Sequence, residues 1–251
     1  HFFNPFPEEI IRLLTFYLSD IAFCPGRWAF DNLQKYKHLQ RIDTQHNTLL
    51  DSLHMVLNSP KDSDFLIPNT VYGVISIHRF ENIFHTKQLT LIIEQLLNTA
   101  DKFQLVIVLH PATLKRLNKT NLINRLKNHP NIELRNRTNY RNFIQLLRSS
   151  KFVITDGGSN QEELSYLNIP TFLMRKNTER QEGLNNNITL GNLSDTALRS
   201  FINNLQPKTN SSTLPEISPC DYICQTIASF TGEKYPSTIQ NVTVQTLTVK
   251  T

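Results

Sequence analysis

The stretch that decides the fold runs Phe152-Val153-Ile154-Thr155-Asp156-Gly157-Gly158-Ser159-Asn160-Gln161-Glu162-Glu163. Phe152 to Thr155 is an apolar, β-branched run, the signature of a buried strand. Ser159 is a residue type that caps helices, and the segment from Ser159 to Leu167 reads as a helix. A strand passing through two glycines straight into a helix places its turn at the carboxyl edge of a parallel sheet, where open α/β sheets bind ligands. Gly157 and Gly158 let the backbone approach an anion, and the first N–H groups of the helix favour a phosphate. Glu163 lies about one turn into the helix, where it can accept hydrogen bonds from ribose hydroxyls. An ordinary strand-to-helix turn with a serine cap fits the same letters. The turn is not a P-loop, because the Lys-Ser/Thr signature is missing.

Working outward, the same alternation recurs. Thr70 to Ile77 is a buried strand, and Gln88 to Ala100 is a helix with Leu89, Ile92, Ile93, Leu96 and Leu97 on one face. Leu105 to Leu109 is the next strand, ending at His110-Pro111. Short helices fit Leu114 to Leu117 and Leu122 to Lys127. Ile132 to Leu134 is a brief strand and Tyr140 to Arg148 a helix. Beyond the glycine turn come strands at Thr171 to Met174 and Ile188 to Leu190, then a helix from Asp195 to Asn204. Strands alternating with helices at this spacing predict βαβ units and a parallel sheet, so an α/β, Rossmann-like domain over residues 51–206. Upstream, Pro7, Glu8 and Glu9 suit the start of a helix over residues 4–19, with Ile11, Leu14, Tyr17 and Leu18 at helical spacing. A short strand from Ile21 to Phe23, a Pro25-Gly26 turn and a helix from Arg27 to Tyr36 follow. Residues 207–214 form a polar linker, and Asp221 to Phe230 a closing helix. Ser237 to Thr251 carries no clear pattern, and no repeat or heptad is present.

Composition narrows the class. The 251 residues carry 26 Lys+Arg against 21 Asp+Glu, a net charge of +5, with 39% hydrophobic residues. That is too apolar for a disordered tail, and no apolar run approaches the roughly 18 residues of a spanning helix. No membrane partner is expected. The cationic cluster Arg135, Arg137, Arg141 lacks the aromatic interleaving of a nucleic-acid surface, so no nucleic-acid partner is expected; a solvated face or a small anionic substrate remain. The three cysteines, Cys24, Cys220 and Cys224, cannot staple a chain of this length, and no further ligands surround the Cys220/Cys224 pair. With no signal peptide visible, a reducing cytoplasm is the expected location and no metal or cofactor is called for. The chain opens at His1 rather than Met, so a preceding segment is expected.

Three further motifs fall at strand ends. Ser76-Ile77-His78-Arg79-Phe80-Glu81-Asn82 follows the first strand of the sheet. A histidine there can give a proton to a leaving group, and the Arg79 fork suits a diphosphate, while a purely structural role for either remains open. His110-Pro111 is either a turn or a ligand contact. Arg175-Lys176-Asn177-Thr178-Glu179-Arg180-Gln181-Glu182 is either solvated loop or an anion contact at the same edge. Phe143, early in the Tyr140 helix, is either core or a base-stacking ring.

Together these segments resemble the UDP-N-acetylglucosamine 2-epimerase family. The resemblance rests on Pro5-Phe6-Pro7-Glu8-Glu9, His78-Arg79-x-Glu81-Asn82, His110-Pro111, Thr155-Asp156-Gly157-Gly158-x-x-Gln161-Glu162-Glu163 and Arg175-x-x-Thr178-Glu179-Arg180, in order, over residues 4–205. It implies a GT-B arrangement of two Rossmann-like domains. Residues 1–50 would then be the tail of an N-terminal domain most of which is absent, and residues 51–206 the nucleotide-binding domain. It implies elimination of UDP from C1 of UDP-N-acetylglucosamine and re-addition of UDP or water with inversion at C2. By resemblance Glu8 and His78 are catalytic, and Phe143 stacks on uracil with Thr138 beside the base. Gly157, Gly158 and Ser159 hold the diphosphate, Glu163 the ribose, and Arg79, His110 and Arg180 belong to the nucleotide site. The implied partner is a UDP-sugar; a homodimer is left open. The family turn reads Ser-Gly-Gly where this chain has Gly157-Gly158-Ser159. A GT-B glycosyltransferase and an inactive nucleotide-binding fragment are the competing readings; the His78-Arg79 strand end and the Thr178-Glu179-Arg180 loop favour the epimerase.

Overall fold

The structure, a computed structural model, describes residues 7–60, 62–191, 193–205 and 214–232. They fall into two compact units. One comprises the residues up to His54 together with those from Pro215 onward, the other Met55–Leu214.

The smaller unit opens with α1 (Glu8–Leu18), β1 (Ile21–Cys24), α2 (Arg27–Asn32), β2 (Gln40–Asp43) and the first part of α3 (Leu49–Leu57), with β1 and β2 paired in parallel. Its core is Cys24, Leu33 and Leu39, with Phe16, Phe30 and Tyr36 packed around them. Helix α1 therefore meets the core through Phe16. The stripe that helical spacing picks out lies on the surface instead, with Leu14 54% and Leu18 77% exposed. Spacing sets which residues share a face, not which face finds a partner. Helix α2 is shorter than the sequence predicts, because Leu33, Tyr36 and Leu39 all turn in toward the same small core. Strand β2 went unrecognised because Gln40-Arg41-Ile42-Asp43 holds one apolar residue. Helix α3 went unrecognised as well, although Leu50 and Leu53, three apart, are both fully buried.

The larger unit alternates as predicted. In chain order it contains β3 (Tyr72–Ser76), α4 (Phe80–Ile83), α5 (Thr86–Ala100), β4 (Gln104–Leu109), α6 (Pro111–Lys119), α7 (Ile123–Lys127) and β5 (Ile132–Asn136). Then follow α8 (Tyr140–Ser149), β6 (Phe152–Thr155), α9 (Gly158–Tyr166), β7 (Thr171–Leu173), β8 (Ile188–Leu190) and α10 (Asp195–Asn203). The six strands are all parallel, in the order β5-β4-β3-β6-β7-β8. This is the α/β, Rossmann-like sheet that the sequence called for. One face is packed by Leu89, Ile92, Ile93 and Leu96 of α5 against Ile75, Ile107 and Ile154 of the strands. Burying each such side chain contributes on the order of 1.5–3 kcal/mol. Gly73 of β3 admits the Phe152 ring of β6, since a Cβ there would lie 2.3 Å from Cζ of that ring.

The chain builds outward from β3, first through β4 and β5 to one side and then through β6, β7 and β8 to the other. The order reverses between β3 and β6. At such a switch point the loops leaving two adjacent strand ends diverge and open a crevice.

Helix α11 (Pro219–Thr231) completes the smaller unit. The Cys220 backbone N–H donates to Asp51 (3.0 Å), and the His54 ring meets the Pro215 carbonyl oxygen at 2.8 Å. The patternless segment Ser237 to Thr251 lies outside the described residues. Among those residues no helix is long and apolar enough to cross a membrane.

Candidate functional site

A cavity of about 360 Å³ opens at the carboxyl edge of the sheet, over the switch point. Most of its wall comes from strand ends. Ser76 ends β3 and His78 follows it; Val108 lies near the end of β4 and His110 follows it; Arg137 and Thr138 follow β5, and Gly157, Gly158, Ser159 and Asn160 follow β6. Tyr140 and Phe143 of α8 and Glu163 of α9 close the remaining side. In a parallel sheet every strand delivers its following loop to one edge, which is why segments up to 87 residues apart meet here.

The best-anchored group is Asp156, fully buried immediately after β6. Its carboxylate accepts the backbone N–H of His78 (3.0 Å) and of Arg79 (2.9 Å) and the Asn82 side-chain amide (2.9 Å). His78 Nδ1 stands 3.2 Å from Asp156 Oδ1. A protonated ring carries an N–H on both nitrogens, so with Nδ1 set against this carboxylate Nε2 can donate to a ligand. Asp156 thus fixes both the loop and the ring that leave β3. The sequence placed it in the turn without a role.

His78 and His110 lie side by side, with ring centroids 5.5 Å apart. Burial, and after it the neighbouring His78 imidazole, lower the His110 pKa below the usual 6.5. His110 also accepts the Ala112 N–H at the start of α6, so it caps that helix as well as lining the cavity.

The glycine turn opens onto α9 as the sequence predicted. Gly157 is the N-cap and Gly158 the first helical residue, so the N–H groups of the first turn are free of intrahelical partners. Glu163 is 3% exposed, and burial raises its carboxyl above the usual 4.5, opposed by the Asn160 amide and the nearby Tyr140 hydroxyl. Phe143 and Thr138 both line the cavity, so Phe143 is not simply core.

Two expected residues, Arg79 and Arg180, are not among those that line the cavity. Arg79 turns away to pair with Glu81 (2.8 Å). Arg180 pairs with the buried Glu162 and lies beside the turn, where a Cβ on Gly158 would be 3.2 Å from its Nε. Glu8 is the first residue of α1, in the smaller unit. The loop carrying Arg180 is tied down by Gln161 of α9, whose side chain donates to the Arg180 and Glu182 carbonyls and accepts from the Thr178 hydroxyl (2.7 Å). Gln161 and Glu162 are therefore anchors of that loop.

The arginine cluster separates. Arg135 pairs with Glu133 (2.6 Å) and Arg141 lies near Asp62, while Arg137 alone of the three lines the cavity. Position relative to the end of β5 is the signal, since Arg137 is the residue just past that strand, where the crevice opens. Among the described residues no cluster of His, Cys, Asp and Glu has the makings of a metal site.

The family model for UDP-N-acetylglucosamine 2-epimerase matches residues 3–213. A UDP-N-acetylglucosamine 2-epimerase of Methanococcus maripaludis is 32% identical over 197 residues, which are 74% of this chain and 54% of that protein. One from Methanocaldococcus jannaschii is 30% identical over 186 residues, 70% of this chain and 51% of that protein. The chain thus spans about half the length of these relatives. The fold of the Methanocaldococcus jannaschii enzyme, solved in complex with UDP-GlcNAc and UDP, superposes with a TM-score of 0.77. That match has 24% identity and covers 91% of this chain and 66% of the other. A family match running from the segment before α1 past α10, across every strand end that builds the cavity, leaves one assignment: the chain belongs to the UDP-N-acetylglucosamine 2-epimerase family.

Proposed function

We propose that the larger unit is the nucleotide-binding domain of a UDP-N-acetylglucosamine 2-epimerase and binds the UDP moiety of its substrate in the cavity over the switch point. The smaller unit is then part of a second, GT-B-type domain. The observation that carries this reading is the convergence of the Asp156-held His78 and the open N-terminus of α9 on one crevice.

The free N–H groups at Gly158 and Ser159 and the helix dipole suit a diphosphate. Phe143 offers a face to uracil, with Thr138 beside the base, and the buried Glu163 carboxylate takes the ribose hydroxyls. His78 Nε2 faces the oxygen shared by C1 and the diphosphate. In the elimination a base removes the C2 proton, the C1–O bond breaks and its electron pair leaves with UDP. Negative charge builds on that oxygen, so a donor fixed there in advance lowers the barrier. The family resemblance gives Glu8 the part of a base. UDP or water then adds at C1 while a proton returns to the other face of C2. His110 and Arg137 add positive charge around the diphosphate; Arg180 and Arg79 hold the surrounding loops.

The test is deuterium incorporation at C2 of UDP-N-acetylglucosamine in heavy water, using the full-length protein. Solvent deuterium at C2, with UDP-ManNAc or ManNAc appearing, is expected. Turnover of another UDP-sugar without C2 exchange would overturn the reading in favour of a transferase.

A further inference from the structure

The family turn has serine where this chain has Gly157, and the structure shows what the glycine admits. A Cβ at Gly157 would lie 2.7 Å from Asn160 Oδ1. With no side chain at 157, Asn160 folds back over the turn. There it sits in a directed chain of hydrogen bonds. The Gly157 N–H donates to Thr155 Oγ1 (3.1 Å), the Thr155 hydroxyl donates to Asn160 Oδ1 (3.2 Å), and Asn160 Nδ2 donates to Glu163 Oε2 (2.9 Å). The polarity of this chain is forced by its end. Glu163 as a carboxylate can only accept, so the amide must present its NH₂ to Glu163 and its oxygen to Thr155. Asn160 and Glu163 are three apart on α9 and share a face, and both line the cavity.

We propose that Asn160 is a positioning residue that holds the Glu163 carboxylate toward the ribose site and couples its orientation to the Gly157 turn. The proposal rests on the reading of the cavity as a nucleoside diphosphate site. Burial opposes ionisation of Glu163, and the Asn160 amide offsets part of that penalty, so the residue keeps the acceptor charged as well as aimed. Without it the carboxylate has two low-cost alternatives, to take up a proton or to swing toward Tyr140. Either removes a charged acceptor from the hydroxyls without disturbing the diphosphate turn. The role is therefore specific to the sugar of the nucleotide.

The experiment measures affinity of the 251-residue chain for UDP, 2′-deoxy-UDP and UMP, in the parent protein and in Asn160→Leu, Asn160→Asp and Glu163→Gln, with folding checked by circular dichroism. The parent is expected to prefer UDP over the deoxy form by about tenfold, the scale of one hydrogen bond to a charged group. Asn160→Leu and Glu163→Gln are expected to collapse that preference toward unity while leaving the UDP-to-UMP ratio unchanged. Asn160→Asp is isosteric and preserves packing, yet sets a second carboxylate against Glu163, and is expected to collapse it too. If both Asn160 variants keep the parent ratio while Glu163→Gln loses it, Asn160 has no positioning role and the ribose assignment stands. If the parent binds no UDP, or Glu163→Gln keeps the ratio, the ribose site itself is wrong and the proposal falls with it.

Discussion

His78 and Asp156 are 78 residues apart in the chain and belong to neighbouring strand ends, yet His78 Nδ1 meets Asp156 Oδ1 at 3.2 Å while the His78 backbone N–H donates to the same oxygen at 3.0 Å. One carboxylate thus positions both a ring and the peptide that carries it. A fully buried acid with this set of donors is held in place by them, and they by it.

Asp156→Asn is therefore expected to destabilise the fold as well as the site. The new amide would set an N–H against donors that need an acceptor. A loss of about 3 kcal/mol is expected, since bonds to a buried charge are worth more than neutral ones. Urea unfolding of the two proteins measures it, and a change below about 0.5 kcal/mol, the scale of an ordinary surface substitution, would show that Asp156 is not the anchor.

Gly157→Ala is expected to spare the fold and damage the site. The added Cβ would meet the end of the Asn160 side chain at 2.7 Å and His78 Cε1 at 3.2 Å, both of them cavity groups. UDP affinity is expected to fall by about tenfold or more, with the unfolding midpoint within about 0.5 kcal/mol of the parent. Calorimetric titration together with urea unfolding separates the two effects.

Glu163→Gln is expected to trade affinity for stability. The folded-state pKa of Glu163 is raised above the usual 4.5 by burial, so the native state holds its proton more tightly than the unfolded chain does. Its contribution to stability is thus fully present below the unfolded value and is lost as pH rises through the folded one. At pH 7 the ligand-free glutamine variant is expected to melt higher than the parent, and the gap should close toward pH 4. UDP affinity should fall by about 1.5–3 kcal/mol. Thermal melts over pH 4–8 and titration with UDP provide both readouts.

His110 has a lowered folded-state pKa, so it favours the native state when neutral, and that contribution is lost as pH falls below the usual 6.5. An arriving diphosphate reverses the preference by stabilising the charged ring. UDP binding near pH 6 is expected to take up protons, and His110→Gln to take up fewer. Titrations in two buffers of different ionisation enthalpy count them; equal uptake by both proteins would place the diphosphate away from His110.

The sequence by itself determined the sheet. Phe152 to Thr155 and Leu105 to Leu109 are apolar, β-branched runs in a chain that alternates them with amphipathic helices such as the one bearing Leu89, Ile92, Ile93 and Leu96, and a strand buried on both faces has little freedom to be anything else. The glycine turn and the histidines at strand ends were legible for the same reason, because a parallel sheet sends all its carboxyl-end loops to one edge. Strand β2 was hidden, since Gln40-Arg41-Ile42-Asp43 takes its strand identity from pairing with β1 rather than from its own pattern. What only the tertiary structure decided is the wiring within that edge. Asp156 turned out to be the anchor of His78, Arg180 the partner of Glu162, and Asn160 the support of Glu163. A sequence motif gives donors and acceptors their order along the chain. Which donor reaches which acceptor depends on distances of a few ångströms across strands, and on small details such as the missing Cβ at Gly157 that lets one side chain fold over the next.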